Sequence, residues 1–194
     1  MRLLALLLLI AGCPGSLPHY DYAKEPDPRN REVTLGVGDV LGINVWENKE
    51  LNADATIRPD GSITMPLIGD VKAVGETTTS LKDAIKKRLT EFVKLQGTEI
   101  TVALKQWRSY KFTLSGEVTR PGVFTSDQYL RVSDAIALAG GLTRFAKRGD
   151  VKLFRTDPKT GEVREIPLDY DELASGKHKE MNIFVLPGDS IYVP

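Results

Sequence analysis

Cysteine and histidine are almost missing from this chain. One cysteine, Cys13, and two histidines, His19 and His178, leave no material for an intrachain disulfide, a thiolate metal site or a His-rich metal spacing. No serine stands in a nucleophile-elbow pattern. An excess of one charge is missing too, since 26 basic side chains balance 26 acidic ones, and nothing in that balance suggests nucleic acid. The apolar run Leu3–Ala11 is nine residues, roughly half of the ~20 that a helix needs to cross a bilayer core.

That run follows Met1 and Arg2 and ends in small residues, the layout of a bacterial secretory signal. Ile10-Ala11-Gly12-Cys13 resembles the lipobox of bacterial lipoproteins. The resemblance implies that the Cys13 sulfur is diacylglycerated, that residues 1–12 are removed, and that the mature net charge is about −1 once Arg2 is lost. A thiolate is the soft nucleophile that such an alkylation requires. Each buried methylene contributes about 0.8 kcal/mol, so two or more acyl chains make a firm anchor. Residues 14–32, "PGSLPHYDYAKEPDPRNRE", carry four prolines, many charges and little apolar periodicity, which predicts an extended tether that does not pack. His19 lies in it as a solvated side chain.

From Val33 onward the pattern is that of small β-rich α+β modules. Gly38-Asp39 leads into a strand, Val40–Trp46, in which Leu41, Ile43 and Val45 alternate with Gly42, Asn44 and Trp46. A strand near 55–58 meets Pro59-Asp60-Gly61-Ser62, predicting a hairpin into 63–67, where Pro66 ends the strand or marks an edge. Gly69-Asp70 predicts another turn before 71–74. One helix follows, with N-cap candidates at 78–80, a buried stripe of Leu81, Ile85, Leu89, Phe92 and Val93, a solvated face of Lys82, Lys86, Lys87 and Glu91, and a stop at Gly97. "EITVAL" resumes strand alternation.

In the second unit Tyr110, Phe112 and Leu114 share a strand face, and a short helix over 133–139 closes on Gly140-Gly141. "DVKLFR" and "EVREIPL" flank a long hairpin loop over 157–161, and "LPGDSIYVP" repeats the turn-into-strand device of residues 37–45.

"VGDVLGINVWENKELNADATIRPDGSITMPLIGDVKAVGET" resembles the polysaccharide export domain of outer-membrane polysaccharide exporters, the Wza-like lipoproteins. "SGEVTRPGVF", "VSDAIALAGGLT", "DVKLFR" and "LPGDSIYVP" resemble the β-grasp-like SLBB module that follows it there. The implied organisation is a signal over 1–12, a lipidated tether over 13–32, an export domain over 33–108 and an SLBB domain over 109–194. The implied function is a periplasmic, lipid-anchored component of a capsular or exopolysaccharide export channel at the outer membrane, forming or capping a ring through which the polymer passes. Implied partners are other copies of the chain in that ring, an inner-membrane polysaccharide co-polymerase, the polysaccharide itself, and the membrane through the lipid. No cofactor or metal and no enzymatic step is implied. The sequence ends at Pro194 without the C-terminal amphipathic helix of the best-known members, so a short form relying on a separate outer-membrane β-barrel or a longer exporter subunit is expected. A monomeric polysaccharide-binding adaptor or sensor, and a glycan-modifying enzyme, are the alternatives.

A polymer that slides needs only a few weak polar contacts. Arg144, Lys147 and Arg148 form a basic loop that an anionic polymer or acidic partner could meet, against the simpler reading of a solvated loop. Trp46 and Trp107 could stack on sugar rings, yet tryptophans at alternating strand positions are expected in the core. Asp39, Asp60, Asp70 and Asp189 adjoin glycines in turns, where aspartate serves the backbone rather than a paired-carboxylate chemistry. His178 stands by itself in a charged loop.

Overall fold

The computed structural model of the protein describes residues 20–93, 100–158 and 160–194. The signal, Cys13, His19, the helix stop at Gly97 and Lys159 of the hairpin loop lie outside the described residues. The fold is α+β, with two β-rich halves around two apolar cores.

In the first half, β1 (Val40–Val45) buries Leu41, Ile43 and Val45 on one face, as the alternation predicts. It pairs antiparallel with β2 (Ala53–Thr56) on one side. The hairpin of β3 (Ser62–Met65) and β4 (Gly69–Lys72) forms a separate two-stranded sheet. Helix α1 (Thr78–Leu89) seats Leu81, Ile85 and Leu89 on the core, and β5 (Ile100–Gln106) closes the other edge of β1. The N-cap of α1 is Thr77, one residue before the expected range, where its hydroxyl accepts the Ser80 N–H and the Ser80 hydroxyl accepts the Thr77 N–H. Helical geometry ends at Leu89, and Phe92 is exposed rather than part of the buried stripe.

The hairpin expected between 55–58 and 63–67 is corrected. The turn exists, with the Gly61 N–H on the Arg58 carbonyl at 2.8 Å, but β2 and β3 belong to different sheets. The backbone of Ile57 is already taken by the entry to β1, donating to Asp39 O and accepting from the Gly38 N–H, and Pro59 has no N–H to extend a ladder. Strand β3 therefore pairs forward with β4. The second reversal lies at Pro66–Ile68, with Leu67 at φ +69°, so Gly69-Asp70 opens β4 instead of forming the turn.

The second half runs β6 (Lys111–Gly116), β7 (Gly122–Thr125), α2 (Val132–Leu138), β8 (Val151–Thr156), β9 (Val163–Leu168), α3 (Tyr170–Ser175) and β10 (Ser190–Val193). Its sheet has the order β7-β6-β10-β8-β9, with β10 parallel to β6 and every other pair antiparallel. Tyr110, Phe112 and Leu114 meet Val132, Ala135 and Ile136 of α2 in its core. Helix α2 stops on Gly140 and Gly141, both at positive φ, as expected.

The two glycine-aspartate turns are the same device. Asp39 accepts the Gly36 N–H at 2.9 Å and Asp189 accepts the Leu186 N–H at 2.7 Å, each three residues back, and each then launches a core strand. Asp39 is fully buried and also accepts the Ser109 N–H at 2.7 Å and the Ser109 hydroxyl at 2.9 Å, fixing the crossing between the halves. Gly36 allows that approach, since a Cβ there would stand 2.4 Å from the Ser109 Cβ.

The expectation that residues 14–32 do not pack is corrected for the described part, 20–32. Two short 3₁₀ turns, Tyr22–Lys24 and Pro28–Asn30, form a strap against the second half. Tyr22 is buried and its hydroxyl donates to Pro167 O at 2.6 Å. The Glu25 side chain, 2% exposed, meets Arg155 at 2.5 Å, and the Arg29 guanidinium lies 4.8 Å from the Phe184 ring. One buried aromatic side chain, Tyr22, and the paired charge of Glu25 outweigh the proline-rich composition here.

Candidate functional site

Of the four aspartates read as turn formers, Asp39, Asp60 and Asp189 serve the backbone, whereas Asp70 lies in β4 and its carboxylate accepts from the Arg58 and Thr64 side chains instead. Asp60 accepts the Ser62 N–H at 2.9 Å, and Asp60 and Asp70 both hold the Arg58 guanidinium at 2.9 Å. That guanidinium keeps both carboxyls below the usual carboxylate range. Asp189 binds Arg155 at 2.6 Å, where burial pushes its carboxyl up and the guanidinium opposes the shift. No group of three or more His, Cys, Asp or Glu able to hold a metal occurs among the described residues. His178 faces Glu180 at 2.8 Å.

The basic loop divides. Arg148 donates to Asp171 at 2.6 Å and covers the Tyr170 ring, while Arg144 lies over the Phe145 ring at 4.7 Å. The Lys147 side chain is exposed, and its backbone N–H donates to Pro194 O at 2.7 Å. Phe145 is 69% exposed, so the loop presents an aromatic ring beside its cations, which the reading of charge alone missed.

The tryptophans divide as well. Trp107 is 8% exposed, stacked on Tyr110 and edge-on to Tyr129, as expected of a core residue. Its Nε1 is buried without an acceptor among the described residues. Beside it a cleft of about 480 Å³ opens where the strap, β5 and the 127–129 loop converge, lined by Arg29, Lys105, Trp107, Gln128 and Tyr129 among others. Trp46 contradicts the core expectation, being 69% exposed. The parity of β1 carried that signal, because residue 46 falls in step with Gly42 and Asn44 on the outer face, not with Leu41, Ile43 and Val45.

Two family models match in tandem. Residues 27–105 match "Polysaccharide biosynthesis/export protein" and residues 111–167 match "SLBB domain". The chain belongs to the polysaccharide export family. The export match takes in the end of the strap and β1–β5, and the SLBB match takes in β6–β9, to whose sheet β10 adds a strand from beyond it. The chain is 32% identical over 152 residues to the exopolysaccharide production protein ExoF of Rhizobium meliloti, covering 73% of this chain and 33% of ExoF. It is 25% identical over 177 residues to the capsule polysaccharide export outer membrane protein CtrA of Neisseria meningitidis, covering 81% of this chain and 43% of CtrA. With the polysialic acid transport protein KpsD of Escherichia coli it shares 26% identity over 116 residues, 58% of this chain and 20% of KpsD. The matched stretch thus spans less than half of each of these relatives. Among the described residues of this polysaccharide export chain, no helix is long and apolar enough to cross a membrane.

Proposed function

We propose that this chain is a lipid-anchored, periplasmic component of a capsular or exopolysaccharide export channel at the outer membrane. The observation that supports this reading is the export domain followed by the SLBB domain in one chain, similar to relatives named for exopolysaccharide production and for capsule polysaccharide export. Cys13 carries the lipid, and the folded halves correspond to an export domain over 33–108 and an SLBB domain over 109–194. Copies of the chain form or cap a ring through heterologous contacts whose rotation closes, and the polymer passes through it. An inner-membrane co-polymerase feeds that ring, and an outer-membrane β-barrel or a longer exporter subunit completes the crossing. The chain guides the polymer and performs no bond chemistry on it. The exposed cations of the 144–148 loop, Arg144, Lys147 and Arg148, meet the polymer or an acidic partner.

Deletion of the gene, with measurement of polymer on the cell surface and inside the cell, tests the role in export. Loss of surface polymer is expected, and unchanged surface polymer overturns it. Native mass measurement on the lipidated full chain, alone and with its co-polymerase, tests the ring. A monomer under both conditions refutes it in favour of an adaptor.

A further inference from the structure

Trp46 is the largest apolar side chain left exposed among the described residues, and its surroundings are those of a binding cleft rather than a bare surface. A hollow of about 650 Å³, within the usual range for small-molecule sites, is lined by Asn44, Trp46, Glu47, Lys49, Asn52 and Thr101 over the buried Val45. Asn44 and Thr101 stand directly opposite each other on β1 and β5, on the outer face of the sheet. Trp46 follows two residues beyond Asn44. The loop that bears it is held by side-chain hydrogen bonds, the Val45 N–H to Asn52 Oδ1 at 2.7 Å and the Asn48 Nδ2 to Trp46 O at 3.2 Å, and by the backbone bond from the Asn48 N–H to Val45 O at 3.2 Å. Glu47, next to Trp46, sits at φ +62°, a conformation that costs a non-glycine residue of order 1–3 kcal/mol.

Apart from Asn52, which accepts the Val45 N–H, the polar side chains of this hollow are uncommitted. Among the described residues, those of Asn44, Glu47, Lys49 and Thr101 form no hydrogen bond or ion pair, although Lys105 and Asp54 on the same sheet face pair at 2.6 Å. One aromatic face, ringed by free amide, hydroxyl, ammonium and carboxylate groups, complements a molecule with an apolar C–H face and a hydroxyl rim. A sugar ring has that pattern. A protein contact anchored on tryptophan needs apolar neighbours and few charges at its centre, whereas the only aliphatic side chain here is Val45, already buried beneath.

We infer that the Trp46 cleft is a glycan subsite, in which a sugar ring of the exported polymer stacks on the indole while Asn44, Lys49 and Thr101 bond its hydroxyls. The inference rests on the export reading and adds the point of contact. Binding is weak, because the cleft is open and the contact is one ring wide, which suits a polymer that must move on.

The probe is a set of oligosaccharides obtained by partial acid hydrolysis of the polymer that the parent strain makes. The full-length chain is titrated with it in a Trp107→Phe background, so that Trp46 is the only indole. Saturable binding in the millimolar range is expected, with a blue-shifted emission and reduced acrylamide quenching. Trp46→Phe retains weakened binding. Trp46→Ala weakens binding by about tenfold or more, followed by saturation-transfer NMR of the sugar, with an unchanged circular dichroism spectrum. No response of Trp46 to these oligosaccharides overturns the inference. Shielding of Trp46 that depends on protein concentration and not on sugar overturns it too, by making the cleft a contact with a second copy. The export reading fails separately, on unchanged surface polymer after gene deletion, whatever the titration gives.

Discussion

Replacing Arg155 with Met removes the buried cation that joins Glu25 to Asp189 and leaves both anions in place. The Arg155 side chain is 5% exposed, and those of Glu25 and Asp189 are each 2% exposed. The guanidinium reaches Asp189 at 2.6 and 3.0 Å, Glu25 at 2.5 Å and the Phe184 carbonyl at 2.7 Å. Methionine fills most of the aliphatic volume but supplies no donor, so Asp189 loses its guanidinium in a medium that penalises charge, while Glu25 keeps only the half-exposed Arg164 at 3.4 Å and the Tyr20 hydroxyl. Removing one member of a buried pair costs about 3–5 kcal/mol, which for a chain of this size lowers Tm by roughly 10 °C. The loss depends on pH in a determined direction. Burial already pushes the Asp189 carboxyl up, and without Arg155 only the Leu186 N–H still opposes it. A carboxyl whose folded pKa lies above its unfolded value takes up a proton on folding, so its penalty shrinks as pH falls through that range. Urea melts of Arg155→Met and the parent should therefore differ most near neutral pH and converge toward acid. Glu25→Gln, which keeps a hydrogen-bond acceptor, should cost only about 1–2 kcal/mol. A loss below about 1 kcal/mol for Arg155→Met, the scale of a surface pair, or one independent of pH, would refute the account of this cluster.

Burial, with the nearby charges of Glu180 and Asp169, holds Tyr22 in its neutral form, pushing its hydroxyl up from 10.0 to about 12. Its contribution to stability is thus full below pH 10.0 and is lost as pH rises through about 12, which tyrosinate absorbance alongside melts in that window should show. Asp39→Ala orphans buried donors at the crossing between the halves and should cost about 1–3 kcal/mol for each, whereas Asp60→Ala, on an exposed turn, should cost much less in the same urea melts. Changing Arg144, Lys147 and Arg148 together to Ser should leave Tm nearly unchanged, since the Arg148–Asp171 pair is exposed. The same variant should elute earlier in salt from an immobilised acidic polysaccharide. Cys13→Ser should abolish labelling of the full chain by radioactive palmitate, and persistence of the label would refute the anchor at that residue.

Alternation and helical periodicity made most of the fold legible, because β1, β6, α1 and α2 bury residues that recur at the period of their own backbone. What escaped was decided by competition between distant groups. Nothing local in residues 55–67 says that Ile57 will be claimed by the entry to β1, so a favourable turn looked like a hairpin. The strap looked unpacked because its composition is polar and proline-rich, while its docking depends on Arg155, 130 residues away in sequence. Asp169 as N-cap and Gly176 in the left-handed conformation mark α3, a six-residue helix too short to show a period. At the candidate site, the parity of β1 was enough to put Trp46 outside, and only the general habit of tryptophan argued for the core. The 480 Å³ cleft at the junction was beyond reach from sequence, since it is assembled from three separate stretches of chain.

The strap also sets the path of mechanical load. Coming from the N-terminal side, a pull on the described chain meets Tyr22 and Glu25 first, and both are fastened to the sheet of the second half. Tension from that direction ends at β8 and β9 and does not reach β1–β5, which hang from the crossing at Ser109 like a weight below a pulley. The half that carries Trp46 is therefore held through the buried Asp39–Ser109 crossing rather than by the strap.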